Sequence, residues 1–158
     1  MPKNHLPPQD PLDLLGIHIG RIDSALDQWM RKQGHSYASF AVLYMLGTTE
    51  GGICTQKQIC DEWSLSKQTV FSICKGLMEK GLLELHESSR DRRERMLQLT
   101  PAGITHAEPL VRRARAFGQA VFQTFGQDRA ARLLAEMDAL STVMETTLAT
   151  ENTPGDLS

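Results

Sequence analysis

At 158 residues and a formal net charge of −2, the chain is long enough for one compact domain with helical extensions, and it is not a uniformly basic nucleic-acid coat. No stretch approaches the roughly 18 consecutive apolar residues of a membrane-spanning helix; the longest apolar run is Phe40 to Leu46, and the N-terminus lacks the charged-then-apolar order of a secretion signal. Three cysteines without framework spacing argue against a disulfide scaffold and for a reducing cytoplasm, and five scattered histidines form no metal-binding pair.

Residues 1–11 hold four prolines and predict an extended arm, ending where Asp10 and Pro11 can cap and open a helix. Leu15, Ile19, Ile22, Leu26 and Trp29 follow at gaps of four, three, four and three, which predicts an amphipathic helix ending near Gly34. Ser36 can cap a second helix carrying Phe40, Leu43, Tyr44 and Leu46 and closed by Gly47. The stretch TTEGG reads as a turn. Thr55 can cap a short third helix from Gln56 to Trp63, and Ser66 a fourth, with Val70, Ile73 and Leu77 inward and Gly81 just past its end.

Leu83 and Leu85 alternate with polar residues, as do Leu97 and Leu99, and predict two half-buried strands around the loop HESSRDRRER. Thr100 and Pro101 read as the cap and first residue of a long helix through Ile104, Leu110, Val111, Phe117, Val121 and Phe125, which Gly126 breaks. A last helix carries Leu133, Met137, Leu140 and Met144 at coiled-coil-like spacing, and residues 151–158 form a fraying tail.

The expected fold class is mainly α with a small β-hairpin wing. A winged helix-turn-helix over 36–100 is flanked by long helices over 12–34 and 101–150 whose apolar stripes predict a homodimer. Charge agrees with that division. Residues 1–66 carry five Lys/Arg against seven Asp/Glu, residues 67–95 seven against five, and residues 96–158 five against seven. Only the segment holding the fourth helix and the hairpin is net positive. A polar-led helix followed by an arginine-tipped hairpin is a shape that fits duplex DNA, the helix in the major groove and the arginines on the backbone or in the adjacent minor groove.

These motifs together resemble the MarR family of bacterial transcription regulators. The family's wing signature, D-x-R followed after five residues by L-T, is met by Asp91, Arg93, Leu99 and Thr100. LSKQTV from Leu65 to Val70 and the L-x-x-x-G-L-L pattern from Leu77 to Leu83 are similar to the family's recognition helix and its exit. The resemblance implies that Arg93 enters the minor groove with Asp91 orienting its guanidinium. It also implies that Ser66, Lys67, Gln68 and Thr69 form the leading turn of the recognition helix. Two positions depart from the pattern: Phe71 stands where the family often has Thr or Ser, and Ser72 where it often has Arg. Phe71 either meets a thymine methyl or packs inside. Gln68 can read adenine and Lys67 guanine or phosphate, while Lys75, Arg90, Arg92 and Arg95 are expected phosphate contacts.

The resemblance further implies a small-molecule effector near the junction of winged module and dimer helices. Arg21, Trp29, Tyr37, Tyr44 and Phe117 are the candidate lining, and one cation among aromatics would suit a small aromatic carboxylate or phenol. The bland alternative is that the aromatics are core. Cys60 and Cys74 read as buried, and Cys54, in a turn, as the most exposed thiol. A thiol-based sensor and a protein-interaction module without specific DNA binding are the competing readings. No phosphate loop, H-E-x-x-H, G-x-S-x-G or paired-carboxylate constellation suggests an enzyme, and no cofactor is expected.

Overall fold

The computed structural model describes residues 10–87 and 95–151. The chain divides into two compact units, Met1–Val111 and Arg112–Ser158. The elements are α1 (Pro11–Lys32), α2 (Tyr37–Thr48), a 3-10 turn (Glu50–Gly52), β1 (Ile53–Thr55), α3 (Gln56–Trp63), α4 (Lys67–Glu79), β2 (Leu83–Glu87), β3 (Arg95–Leu99), α5 (Pro101–Phe125) and α6 (Gln127–Glu151). The fold is mainly helical with one small antiparallel sheet, as the sequence implied.

Side-chain caps set most helix starts in the first unit. Asp10 accepts from the Leu12 amide at 2.8 Å, Ser36 from Ser39 at 3.2 Å and Ser66 from Thr69 at 3.1 Å. Thr55 and Gln58 form a reciprocal capping box, each side chain accepting from the other's amide at 3.0 and 2.8 Å. Each cap satisfies amides that a helix start leaves without partners, and is worth about 1 kcal/mol. Left-handed glycines lie just past α1 (Gly34, φ 82°) and α4 (Gly81, φ 68°), where the absent Cβ removes the steric cost.

The core of this unit is formed by Val42, Leu43 and Leu46 of α2, Ile59 of α3, Val70, Cys74 and Leu77 of α4, the inward strand residues Leu83, Leu97 and Leu99, and Leu110 of α5. Each large side chain removed from water contributes roughly 1.5–3 kcal/mol, so this cluster fixes α4 from behind and leaves its other face free.

Four expectations need correction. The wing is not a lone hairpin: the sheet has three strands in the order β1-β3-β2, with Cys54 and Leu85 both opposite Leu97. At three residues, β1 is too short for alternation to be visible in sequence. Cys54 is therefore an inward strand residue, 2 % exposed, and not the accessible thiol; Cys60 is half-buried and more open than either Cys54 or Cys74. Gly47 does not stop α2, which continues to Thr48. A Cβ there would lie 2.8 Å from Val111 Cγ2 and 3.4 Å from Ala107 Cβ, so the glycine serves the close approach of α2 to α5. Leu85 is exposed, because β2 is an edge strand and its outer end leaves the core.

In the second unit α5 gives way to α6 at Gly126, whose φ of 102° suits glycine alone. The Arg129 guanidinium sits 4.3 Å from the Phe125 ring centroid. Leu133, Met137, Leu140 and Met144 form an exposed stripe along α6.

Candidate nucleic-acid interface and effector cavity

The turn before α4 aims its N-terminus outward. Ser64 takes a left-handed backbone at φ 50°, and the Leu65 amide returns to the Cys60 carbonyl at 3.1 Å. Gln56 Nε2 donates to the Lys67 carbonyl at 2.9 Å, tying α3 to the first turn of α4. The Ser66 hydroxyl is occupied by the Thr69 amide and lies 2.8 Å from Thr69 Oγ1. Ser66 and Thr69 thus shape the helix start, while Lys67, Gln68, Phe71, Ser72 and Lys75 are exposed. Those five fall at i, i+1, i+4, i+5 and i+8, one contiguous face opposite Val70, Cys74 and Leu77. Phe71 is 56 % exposed, which decides against simple packing inside. Gly76 has open space around its missing Cβ and serves no close contact.

Arg95 opens β3, exposed and opposite Glu87. Arg90, Asp91, Arg92 and Arg93 lie outside the described residues. The wing base itself is held firmly: the Thr100 hydroxyl donates to the Gly81 carbonyl, joining the end of the sheet to the exit of α4.

Of the aromatic effector candidates, the structure gathers three and adds two. Phe40 stacks on Tyr44 at 5.2 Å and meets Trp29 edge-on at 5.8 Å. Trp63 contacts Tyr37, Phe40 and Tyr44 at 5.9–6.0 Å between ring centroids. Phe40 and Trp63 were not expected in this cluster, and of its five rings only Tyr37 and Trp63 line the adjoining cavity. Their ring contacts with the predicted aromatics depend on three helices meeting, which one-dimensional spacing does not show. A cavity of about 400 Å³ opens beside this cluster, lined by Tyr37, Trp63 and Ser64 and by Asp23, Leu26, Asp27 and Met30 of α1. The Tyr37 hydroxyl donates to the Trp63 carbonyl at 3.3 Å. Burial, with Asp23 adding to it, pushes the Tyr37 phenol above its ordinary range. Arg21 does not line the cavity; it sits two residues from Asp23, about 200° round the helix. Phe117 belongs to the second unit.

The family model described as the MarR family matches residues 33–94. The solved structure of NMB1585, a MarR family regulator from Neisseria meningitidis, is 45 % identical to this chain; the match covers 91 % of this chain and all of that one, with a TM-score of 0.83. The chain belongs to the MarR family. Two more distant structures share the fold. NadR in complex with 4-hydroxyphenylacetate is 18 % identical, covering 85 % of this chain and 97 % of that chain at a TM-score of 0.71. MepR of S. aureus in complex with DNA is 17 % identical, covering 83 % and 95 % at a TM-score of 0.64. Among curated proteins no match was found.

Within the described residues of this MarR regulator no group of His, Cys, Asp or Glu could hold a metal ion, and no helix is long and apolar enough to cross a membrane.

Proposed function

We propose that this MarR-family protein is a homodimeric transcriptional regulator, a repressor, that binds a pseudo-palindromic operator and is modulated by a small aromatic effector. The observation that carries the reading is the contiguous exposed face of α4, projecting from a helix whose other side is locked into the core. Lys67, Gln68, Phe71 and Ser72 reach base edges in the major groove, with Gln68 suited to adenine and Phe71 to a thymine methyl. Ser66 and Thr69 hold the leading turn beside the phosphates. Lys75, Arg90, Arg92 and Arg95 contact the backbone, and Arg93, oriented by Asp91, enters the minor groove. The DNA complex of MepR shows that the shared fold engages duplex DNA in that relative.

The exposed apolar side chains Ile19 and Ile22 of α1 and the stripe of α6 support a dimer. Two copies would hold recognition helices roughly 34–36 Å apart, one turn of DNA. An effector that binds one head spacing better than the other shifts DNA affinity by that difference. The cavity beside Tyr37 and Trp63 lies against α1 and the end of α3, where occupancy can couple to the winged module. NadR is solved in complex with 4-hydroxyphenylacetate, and a further structure that shares the fold, that of Bordetella bronchiseptica BpsR, concerns regulation of its DNA binding by 6-hydroxynicotinic acid.

The test is fluorescence anisotropy with the protein's own upstream intergenic DNA over a salt series. Binding at or below roughly 10⁻⁸ M, far weaker for scrambled DNA, and a clear loss in Arg93→Ala are expected. Equal weak binding to both DNAs, indifferent to Arg93→Ala, would instead make the fold a protein-interaction module.

A further inference from the structure

We infer that the cavity beside Tyr37 and Trp63 is built for an organic cation, an arylalkyl-ammonium with an apolar body. The inference rests on the effector reading above and gives it a ligand class. One stripe of α1 presents Asp23, Leu26, Asp27 and Met30 at i, i+3, i+4 and i+7, so two carboxylates and two apolar side chains enter the same wall. No lysine, arginine or histidine lines the cavity. Arg31 Nε meets Asp27 at 2.6 Å, but it does so from a side chain that is 74 % exposed and outside the lining. Among the described residues Asp23 has neither an ion pair nor a hydrogen bond.

The opposite wall favours the same charge. The Tyr37 and Trp63 rings stand 6.0 Å apart and inclined at 60°, and aromatic faces attract ammonium groups through their quadrupole. Trp63 is also the last residue of α3, so the cavity meets the negative end of that helix. Carboxylates, ring faces and a helix C-terminus all stabilise a cation and repel a carboxylate of the same shape. The one cation that the sequence placed among the aromatics, Arg21, is not in the lining. The volume lies within the usual range for small-ligand sites.

Benzyltrimethylammonium and phenylacetate carry a similar ring and opposite charge. Calorimetric titration of the full chain with each, alongside operator-DNA anisotropy, tests the inference. The cation is expected to bind at least about ten-fold tighter than the anion. The double variant Asp23→Asn/Asp27→Asn should lose that preference with an unchanged melting temperature, and Arg31→Gln should strengthen cation binding by freeing Asp27. No cation binding, tighter phenylacetate binding, or cation affinity indifferent to the double variant overturns the inference. If phenylacetate alone releases DNA, the effector reading stands and the cation inference fails. If the cation binds through Asp23 and Asp27 yet DNA affinity is unchanged, the cation site stands and the effector reading fails.

Discussion

The Thr100 hydroxyl donates to the Gly81 carbonyl at 2.8 Å and accepts from the Gly103 amide at 3.0 Å, so one side chain closes the exit of the recognition helix and opens α5. The Thr100 amide adds a bond to the Leu82 carbonyl at 3.1 Å. Replacing Thr100 by Val keeps the shape and removes both side-chain bonds, leaving a carbonyl and a helix-start amide without this partner. Stability should fall by about 1–2 kcal/mol. Urea titration reads the change; a midpoint equal to that of the parent would show that the bridge contributes nothing.

Gly103 and Gly76 make a matched pair of opposite sign. A Cβ on Gly103 would overlap the Leu82 carbonyl oxygen and come within 2.9 Å of its carbon and 3.1 Å of Leu99 Cδ2. The obstacle is backbone, which cannot swing aside. Gly103→Ala should therefore cost at least about 3 kcal/mol, the upper end for overpacking. Gly76 has nothing within 4 Å. Gly76→Ala should stabilise by about 1 kcal/mol, since alanine loses less backbone freedom in a helix interior. Thermal melting of both variants decides the matter, and a destabilised Gly76→Ala would contradict the open space described around that residue.

Much of the fold is legible in the sequence because it is local. Ser36, Thr55 and Ser66 mark helix starts that the structure reproduces, and Gly34 and Gly81 mark ends, since caps act within a single turn. The exposed face of α4 was legible for the same reason. What escaped depends on partners distant in sequence. Gly47 carries the usual mark of a helix stop, but its role is set by Ala107 and Val111. Cys54 reads as a turn residue in sequence and becomes a strand residue only through pairing with β3. Phe40 and Trp63 meet only when α2 and α3 pack together, and Asp23 and Asp27 become cavity walls only when α1 is laid beside them.

The cysteines have a defined order of reactivity. Burial pushes the Cys54 thiol up to about 12 and the Cys74 thiol up to about 11, with neighbouring thiols, Cys74 and Cys60 respectively, adding to each. Thiolate is the reactive form, so at pH 8 the folded protein should show one accessible thiol toward an aromatic disulfide reagent, Cys60, and three after denaturation. Cys60→Ser should abolish the native reaction, and rapid labelling of Cys54 would reopen the redox-sensor reading. The raised values also fix a pH dependence. In the unfolded chain both thiols ionise near 9.0, whereas the folded chain keeps them protonated. The unfolded state thus binds fewer protons above pH 9, and stability, fully present below that, should decline as pH rises toward 11–12. Cys54→Ala should reduce the steepness of that decline.

On α6 the residues Leu133, Met137, Leu140 and Met144 recur at gaps of four, three and four, and each is 42–49 % exposed. A single-chain protein gains nothing from keeping such a stripe wet, whereas a partner helix would bury it in the manner of a coiled-coil seam. Leu140→Glu places a charge in the middle of that seam. It should shift sedimentation from dimer to monomer at micromolar concentration while leaving the helical circular-dichroism spectrum intact. Operator affinity should fall with it, because two linked heads bind far more tightly than one. Thr142→Glu puts the same charge about 200° round the helix and should leave the dimer alone. Equal dissociation in both variants would point to net charge as the cause, and an unshifted Leu140→Glu dimer would place the interface on other helices.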